Sequence, residues 1–312
     1  MRVVPEYMPS VKLVAFLERG EEIVASAAKA TLSPREFESI ALSMSQENLE
    51  KWLSELIARG HGSPLEHTLY IFEVICSRVC SHQLVRHRHA SYSQLSQRFS
   101  DKYLGEFIDQ VVSELSSKQP VEFSEKRELL EAYLQRASQI SFEELLGIVG
   151  KAFIVPLSII KRRDREFLLM LIRSVIDYYR LLGSGVPYED ARYTLPQSIK
   201  TRIIVSMNAR ELVEVFLPLR MCSRAQWEIR TIAWLMWREL ISAHPRIFKY
   251  AGPRCVLFEN RARREICSLE DYLSGKCEFT IERCPEKIPR DCIHACLLNG
   301  FREADLTVGG TA

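Results

Sequence analysis

The chain has almost no net charge. Its 42 Lys and Arg face 40 Asp and Glu, leaving +2, so the field of the whole molecule gives no reason to expect a polyanionic partner and any anion binding must be local. Long apolar runs are missing too. The most apolar stretches, KAFIVPLSIIK and FLLMLIRSVI, are too short or too interrupted by charge to cross a bilayer. The opening segment MRVVPEYMPSVKLVAFLERG has no small-residue cleavage site, so a cytoplasmic protein without a membrane partner is expected. There are no internal repeats or low-complexity tracts. Neither G-x-G-x-x-G nor G-x-x-x-x-G-K-[ST] occurs, which leaves a Rossmann dinucleotide site and a P-loop without support. Cysteine is sparse until the end: Cys76, Cys80 and Cys222 are alone before Tyr250, and Cys255, Cys267, Cys277, Cys284, Cys292 and Cys296 follow it. That change in composition marks a boundary near Tyr250.

What is present suits a globular protein. The 312 residues are 47% hydrophobic, enough for a sizeable core in one large domain or two modest ones. SVKLVAFL reads as a strand. Ser33, Pro34 and Glu36 read as an N-cap, first helical residue and capping-box partner, opening one or two helices that stop at Gly60. Alternation from Thr68 to Cys76 predicts a strand, and CSHQLVRHR a short helix whose end delivers arginines. Residues 101–165 turn from polar to apolar, with Gly147, Gly150 and Pro156 interrupting any single long helix. A helix is expected from Asp164 to Leu182, a short one in YEDARYTLP, and a strand in SIKTRIIVSM. Asn208 with Glu211, and Ser223 with Gln226, then stand in capping relation at two further helix starts.

Chemistry concentrates in RHRHASYSQLSQRFS, Arg86 to Ser100, where four potential cations are followed by hydroxyls and Arg98. Guanidinium forks match phosphate oxygens, and Ser or Gln side chains can complete the shell. The alternative is a solvated basic turn. Ser96 lacks the glycine-rich elbow of a nucleophile and reads as a hydrogen-bonding group. In GHGSPLEH, the pair His61 and His67 with Glu66 matches no zinc signature, so a polar turn is favoured and no metal site is expected there.

These segments, in this order, resemble the flavin-dependent thymidylate synthases. That family's signature of Arg-His-Arg, seven residues and Ser fits Arg86, His87, Arg88 and Ser96. GHGSPLEH, Gln83, Arg98, GVPYEDAR, MNAR and LRMCSRAQWEIR extend the resemblance over about residues 10–105 and 165–250. Gln94 stands where Glu is common in the family, Glu214 where a flavin-contacting Asn can occur, and Arg224 where many members have His.

The resemblance implies an α+β fold, an antiparallel sheet with packed helices, assembled as a homotetramer with active sites between subunits. It implies conversion of dUMP to dTMP, with 5,10-methylenetetrahydrofolate as carbon donor, FAD as redox relay and NADPH as reductant. FAD contacts would come from His61, Ser63, Arg86, His87, Arg88, Gln94, Asn208 and Arg210. Those to dUMP would come from Gln83, Arg86, Gln94, Ser96, Arg98, Arg192 and Arg220, with Arg220 and Ser96 closest to the chemistry. Residues 1–250 would form the synthase domain, with 106–164 as a helical insertion, and 251–312 a cysteine-rich extension. In that extension structural disulfides stand slightly ahead of zinc, and both ahead of a catalytic role. Two other readings compete: a nucleic-acid-binding protein with a zinc tail, disfavoured by the near-neutral charge, and a flavoprotein without synthase activity.

Overall fold

Alternation along Tyr70–Ser77 builds the central strand. Tyr70, Phe72, Val74 and Cys76 are fully buried on one face, while Ile71, Glu73 and Ile75 stay partly exposed on the other. In the computed structural model, which describes residues 4–99 and 101–309, this strand belongs to a four-stranded antiparallel sheet. Ser100, the last residue of the basic stretch, and the two extreme termini lie outside the described residues. The strands are β1 (Ser10–Phe16), β2 (Tyr70–Ser77), β3 (Ala90–Gln94) and β4 (Lys200–Met207), in the order β1-β2-β4-β3. The strand that carries the basic motif therefore lies at an edge, paired from Ala90↔Met207 to Gln94↔Ile203.

Two hydrophobic cores flank this sheet. One packs β2 and β4 against the Trp227–Ala243 helix through Phe72, Val205, Phe216 and Trp234. It also takes in Val256, Leu269, Tyr272, Ile293 and Leu297 from beyond Tyr250, so the C-terminal segment shares the core of the sheet. The second joins the helices Lys102–Leu115, Phe123–Ala137, Phe142–Val149 and Arg165–Gly183 through Phe107, Tyr133, Leu145, Ile172 and Tyr179. The fold is α+β, as expected.

Helix starts differ from the sequence reading in three places. Gly20–Ala30 is a helix that the sequence reading did not assign; its small residues Ala25 and Ala28 are buried. Glycine at its start permits close approach, because a Cβ on Gly20 would lie 2.7 Å from His244 Cε1. Ser33 does not cap a helix. The helices there are Phe37–Leu42 and Gln46–Arg59, and Ser45 Oγ caps the longer one by accepting from Asn48 N at 3.2 Å. Leu49, Leu53, Leu56 and Ile57 follow Ser45 into the core, whereas the shorter helix buries Ile40 and leaves Phe37 and Leu42 exposed. The expected stop at Gly60 holds, at φ +70. Finally, Gln226 rather than Ser223 caps Trp227–Ala243, accepting from Glu228 N and Ile229 N at 3.0 and 3.3 Å.

Candidate active site

The short helix Arg78–Leu84 aims the motif. Ser77 caps it by accepting from Cys80 N at 3.1 Å, and Ser77 is itself gripped by Glu228, which accepts from its N–H and its hydroxyl at 2.6 Å each. Glu228 is 2% exposed, and this burial pushes its pKa up to about 6 despite both hydrogen bonds. A raised carboxyl pKa means that the folded chain holds the proton more tightly than the unfolded one. The contribution of this one group to stability is therefore largest below pH ~4.5 and is lost as pH rises through ~6, by ~2 kcal/mol. Glu228→Gln, which keeps the shape and can still bond Ser77, is expected to gain about that much over the parent above pH ~6 and little below pH ~4.5. Urea melts at the two pH values check this; equal differences at both would remove Glu228 as the titrating group.

The helix ends in Arg86, His87 and Arg88. His87 turns inward, its side chain 4% exposed, with Nδ1 at 3.0 Å from Glu211 Oε1 and its ring edge-on to Phe216. Its Nε2 accepts from Arg220 Nε at 3.0 Å, while Arg220 Nη2 donates to Gln83 O at 3.2 Å. A guanidinium can only donate, so Nε2 must carry the lone pair and Nδ1 the hydrogen that faces Glu211. The chain Arg220–His87–Glu211 thus has a fixed polarity. Glu211 opens a π-helical turn, Glu211–Phe216, whose start is capped by Asn208 Oδ1 accepting from Glu211 N at 2.8 Å. The Asn208 cap holds as expected. Tyr92 on β3 closes the arrangement, its hydroxyl 2.8 and 2.7 Å from the carbonyls of Leu84 and His87. Burial pulls the Arg220 pKa down, and the nearby Cys80 and Tyr92 side chains oppose that shift.

Beside this chain opens a cleft of about 360 Å³ lined by His89, Asn208, Arg210, Glu211 and Glu214, among others. Arg210 pairs with Glu66 and, at 3.0 Å, with Glu214 Oε2. Glu214 Oε1 also accepts from Arg261 at 2.8 Å, which brings a residue of the C-terminal segment to the cleft. Glu214, a departure from the family pattern, is therefore an anchor for two arginines. The loop that carries His61 and Ser63 approaches closely: a Cβ on Gly62 would lie 2.7 Å from Glu214 and 2.8 Å from Arg210. His61 and Ser63 are both exposed there.

Arg86, Arg88 and Arg98 are exposed and make no ion pair among the described residues; Arg98 lies over the Phe99 ring at 5.1 Å. Ser96 Oγ accepts from Arg98 N at 3.3 Å, and Gln94 donates to Thr201 Oγ1 at 3.1 Å. Arg192 donates to Glu189 O at 2.9 Å and stands near the half-buried Arg78, whose pKa is lowered by burial and then by Arg192. Two cations this close suit an anion between them.

Both ring nitrogens of the buried His87 have protein partners, Glu211 and Arg220, so the ring helps to position Arg220. Sequence reading missed Arg78, Tyr92 and Glu228, and it took Glu211 only as a cap partner. Only contacts between distant segments reveal them, since Glu228 acts on Ser77 and Glu211 on His87.

An edge strand flanked by arginines without an ion pair among the described residues, beside a cleft with a fixed Arg–His–Glu chain, defines an α+β protein with cationic groups placed where anionic ligands could be met. Known proteins narrow the class. The sequence profile of the family described as thymidylate synthase complementing protein matches residues 12–246. The flavin-dependent thymidylate synthase of Aeropyrum pernix is 46% identical over 299 residues, covering 92% of each chain. That of Saccharolobus solfataricus is 40% identical over 296 residues, covering 94% of this chain and 96% of its own. Among solved structures, the Helicobacter pylori flavin-dependent thymidylate synthase ThyX complexed with FAD and dUMP matches with a TM-score of 0.53 at 24% identity, covering 78% of this chain and 99% of that one. The UMP/dUMP methylase PolB of Streptomyces cacaoi, bound with 5-Br dUMP, matches at 0.55 and 20%, covering 77% and 93%. At those identities the two structures establish the fold. The chain belongs to the flavin-dependent thymidylate synthase family.

Proposed function

We propose that this protein methylates dUMP reductively to dTMP, taking the carbon from 5,10-methylenetetrahydrofolate and relaying hydride from NADPH through FAD. The observation that carries the reading is Arg220, a half-buried guanidinium whose direction is fixed by His87 and Gln83 O. A fixed cation at the pyrimidine favours its N3-ionised form and raises electron density at the carbon to be methylated.

The residues present fit a flavin dinucleotide. The cleft lies in the usual ~300–1,000 Å³ range of cofactor sites, it has no room for a side chain at Gly62, and Arg86 and Arg88 are free for phosphate. We assign His61, Ser63, Arg86, His87, Arg88, Gln94, Asn208 and Arg210 to FAD. Gln83, Arg86, Gln94, Ser96, Arg98, Arg192 and Arg220 are assigned to dUMP, with Arg78 added beside Arg192. Bound FAD supplies the redox chemistry, so none of the cysteines is needed as a nucleophile. Ser96 positions the substrate. Arg220, kept in place by His87 and Glu211, does the electrostatic work.

The site so assigned lies on the surface of one chain, which accords with active sites formed between subunits of a homotetramer. Phe99 and Tyr193, 80% and 84% exposed, neighbour Arg98 and Arg192 in sequence and are large side chains that a second subunit would cover. Analytical ultracentrifugation is expected to show a four-chain species, and Tyr193→Asp combined with Phe99→Asp a smaller one; a monomeric parent protein would end the assembly proposal. We place the reaction in the cytoplasm, with no nucleic-acid or membrane partner; among the described residues no helix is long and apolar enough to cross a membrane. Residues 1–250 are proposed as the synthase domain with 106–164 as its helical insertion, and 251–312 as an extension that supports it. Assay of dTMP formation from dUMP with folate donor and NADPH, with and without FAD, tests the function. No dTMP from the FAD-loaded protein would sink it.

A further inference from the structure

The C-terminal segment reaches the cleft through one side chain. Arg261 lies near the end of the Arg254–Ala262 helix, and its Nη2 donates to Glu214 Oε1 at 2.8 Å. Its guanidinium also lies against the loop that leads to His61 and Ser63, because a Cβ on Gly60 would stand 3.5 Å from Cζ, Nε and Nη2 alike. Three equal distances put the flat group face-on over that position. Gly60, at φ +70, leaves the space open. Arg261 therefore sits between the two segments assigned to FAD, the loop after Gly60 and the turn from Asn208 to Glu214.

The backbone beside Arg261 is firmly held. Glu259 and Asn260 are both fully buried. Glu259 accepts from Thr280 N, Thr280 Oγ1 and Ile281 N at 2.8, 2.6 and 2.9 Å. Asn260 donates to Cys267 O at 2.9 Å and accepts from Cys267 N at 3.0 Å. Cys267 is joined in turn to Cys277 by a disulfide, one of the two alternatives anticipated for the tail, while Cys255, Cys284, Cys292 and Cys296 are free thiols. A side chain that starts from so fixed a helix end has little order left to lose when a ligand arrives.

Charge is what this side chain adds. Glu66 and Glu214 both line the cleft, and Arg210 pairs with both. One guanidinium against two carboxylates leaves a negative charge where an anionic dinucleotide has to enter. Arg261 cancels it. The third carboxylate, Glu211, faces His87 in the chain that ends on Arg220. Among the described residues Arg261 makes no hydrogen bond besides the one to Glu214, so Nε and Nη1 remain for an anion.

We propose that Arg261 is a positioning residue of the cleft, through which the C-terminal extension sets affinity for FAD by neutralising Glu214. The inference rests on the proposed FAD site, so three probes are needed: FAD, ADP, which has the diphosphate without the flavin, and riboflavin, which has the flavin without phosphate. At low salt Arg261→Ala is expected to raise the Kd of FAD and of ADP about fivefold, a difference that shrinks as salt is added. Riboflavin affinity should not change. Arg261→Lys keeps the charge and should bind FAD like the parent. Arg261→Ala combined with Glu214→Gln should return to parental affinity, because the charge to be offset is gone; a merely structural role would give no such recovery. If Arg261→Ala fails to fold in a thermal melt, Glu214→Gln alone decides, since it should tighten ADP and an unchanged or weaker Kd would overturn the proposal. So would Arg261→Ala with parental affinities, equal losses of FAD and riboflavin, or a parent protein that binds neither FAD nor ADP. Formation of dTMP is scored separately: Arg261-dependent ADP binding in a protein that makes no dTMP would fault the proposed function alone.

Discussion

Arg220→Lys is expected to lower dTMP formation about a hundredfold, in the range seen when one preorganised electrostatic contact is removed from an active site. Lysine keeps the charge but loses the planar fork, and here the fork is in use: Nε donates to His87 Nε2 and Nη2 to Gln83 O. A primary ammonium cannot hold that pair of bonds and still present the same face to a pyrimidine. Single-turnover dTMP formation with saturating ligands, beside a fluorescence titration of FAD, separates chemistry from cofactor binding. Turnover should fall while FAD affinity stays near that of the parent. Equal turnover would remove Arg220 from the chemistry; equal losses in both would make it a structural residue of the cleft. Glu211→Gln gives an independent reading of the same chain, because a smaller defect with the same pattern is expected when the partner of His87 loses its charge.

Arg88→Ala is expected to weaken FAD binding by ~1.5–3 kcal/mol, or roughly tenfold to a hundredfold in Kd, as befits a lost charge-assisted hydrogen bond. The side chain is exposed and makes no ion pair among the described residues, so its removal should leave folding intact and act on the ligand alone. Arg210 differs, since Glu66 and Glu214 hold it. Flavin retained on gel filtration and the Kd from titration of the apoprotein check the prediction, with a thermal melt as control for folding. An unchanged Kd would place the FAD phosphates away from the motif.

The local order of the chain was largely legible from sequence. Alternation placed β2, SIKTRIIVSM marked β4, Gly60 ended its helix, Asn208 capped the turn that opens with Glu211, and the spacing of Arg86, His87, Arg88 and Ser96 carried the family resemblance. Each of these rests on interactions within a few residues, which composition and period encode directly. Ser33 does not cap because the helix after it starts only at Phe37, and Ser33 Oγ instead accepts from Arg35 N at 3.4 Å.

Tertiary structure alone decided what the motif is attached to. It is the pairing of β3 with β4 that puts the arginines at a sheet edge, and the Glu228 carboxylate, 151 positions from Ser77, that sets the helix behind them. The π-helical turn brings Glu211 to His87 across 124 positions, and together they hold Arg220. Arg261 likewise reaches Glu214 only in the folded chain. Local propensity fixes elements, whereas the polarity of a buried hydrogen-bonded chain depends on which distant groups are desolvated together, and no pattern along the sequence records that.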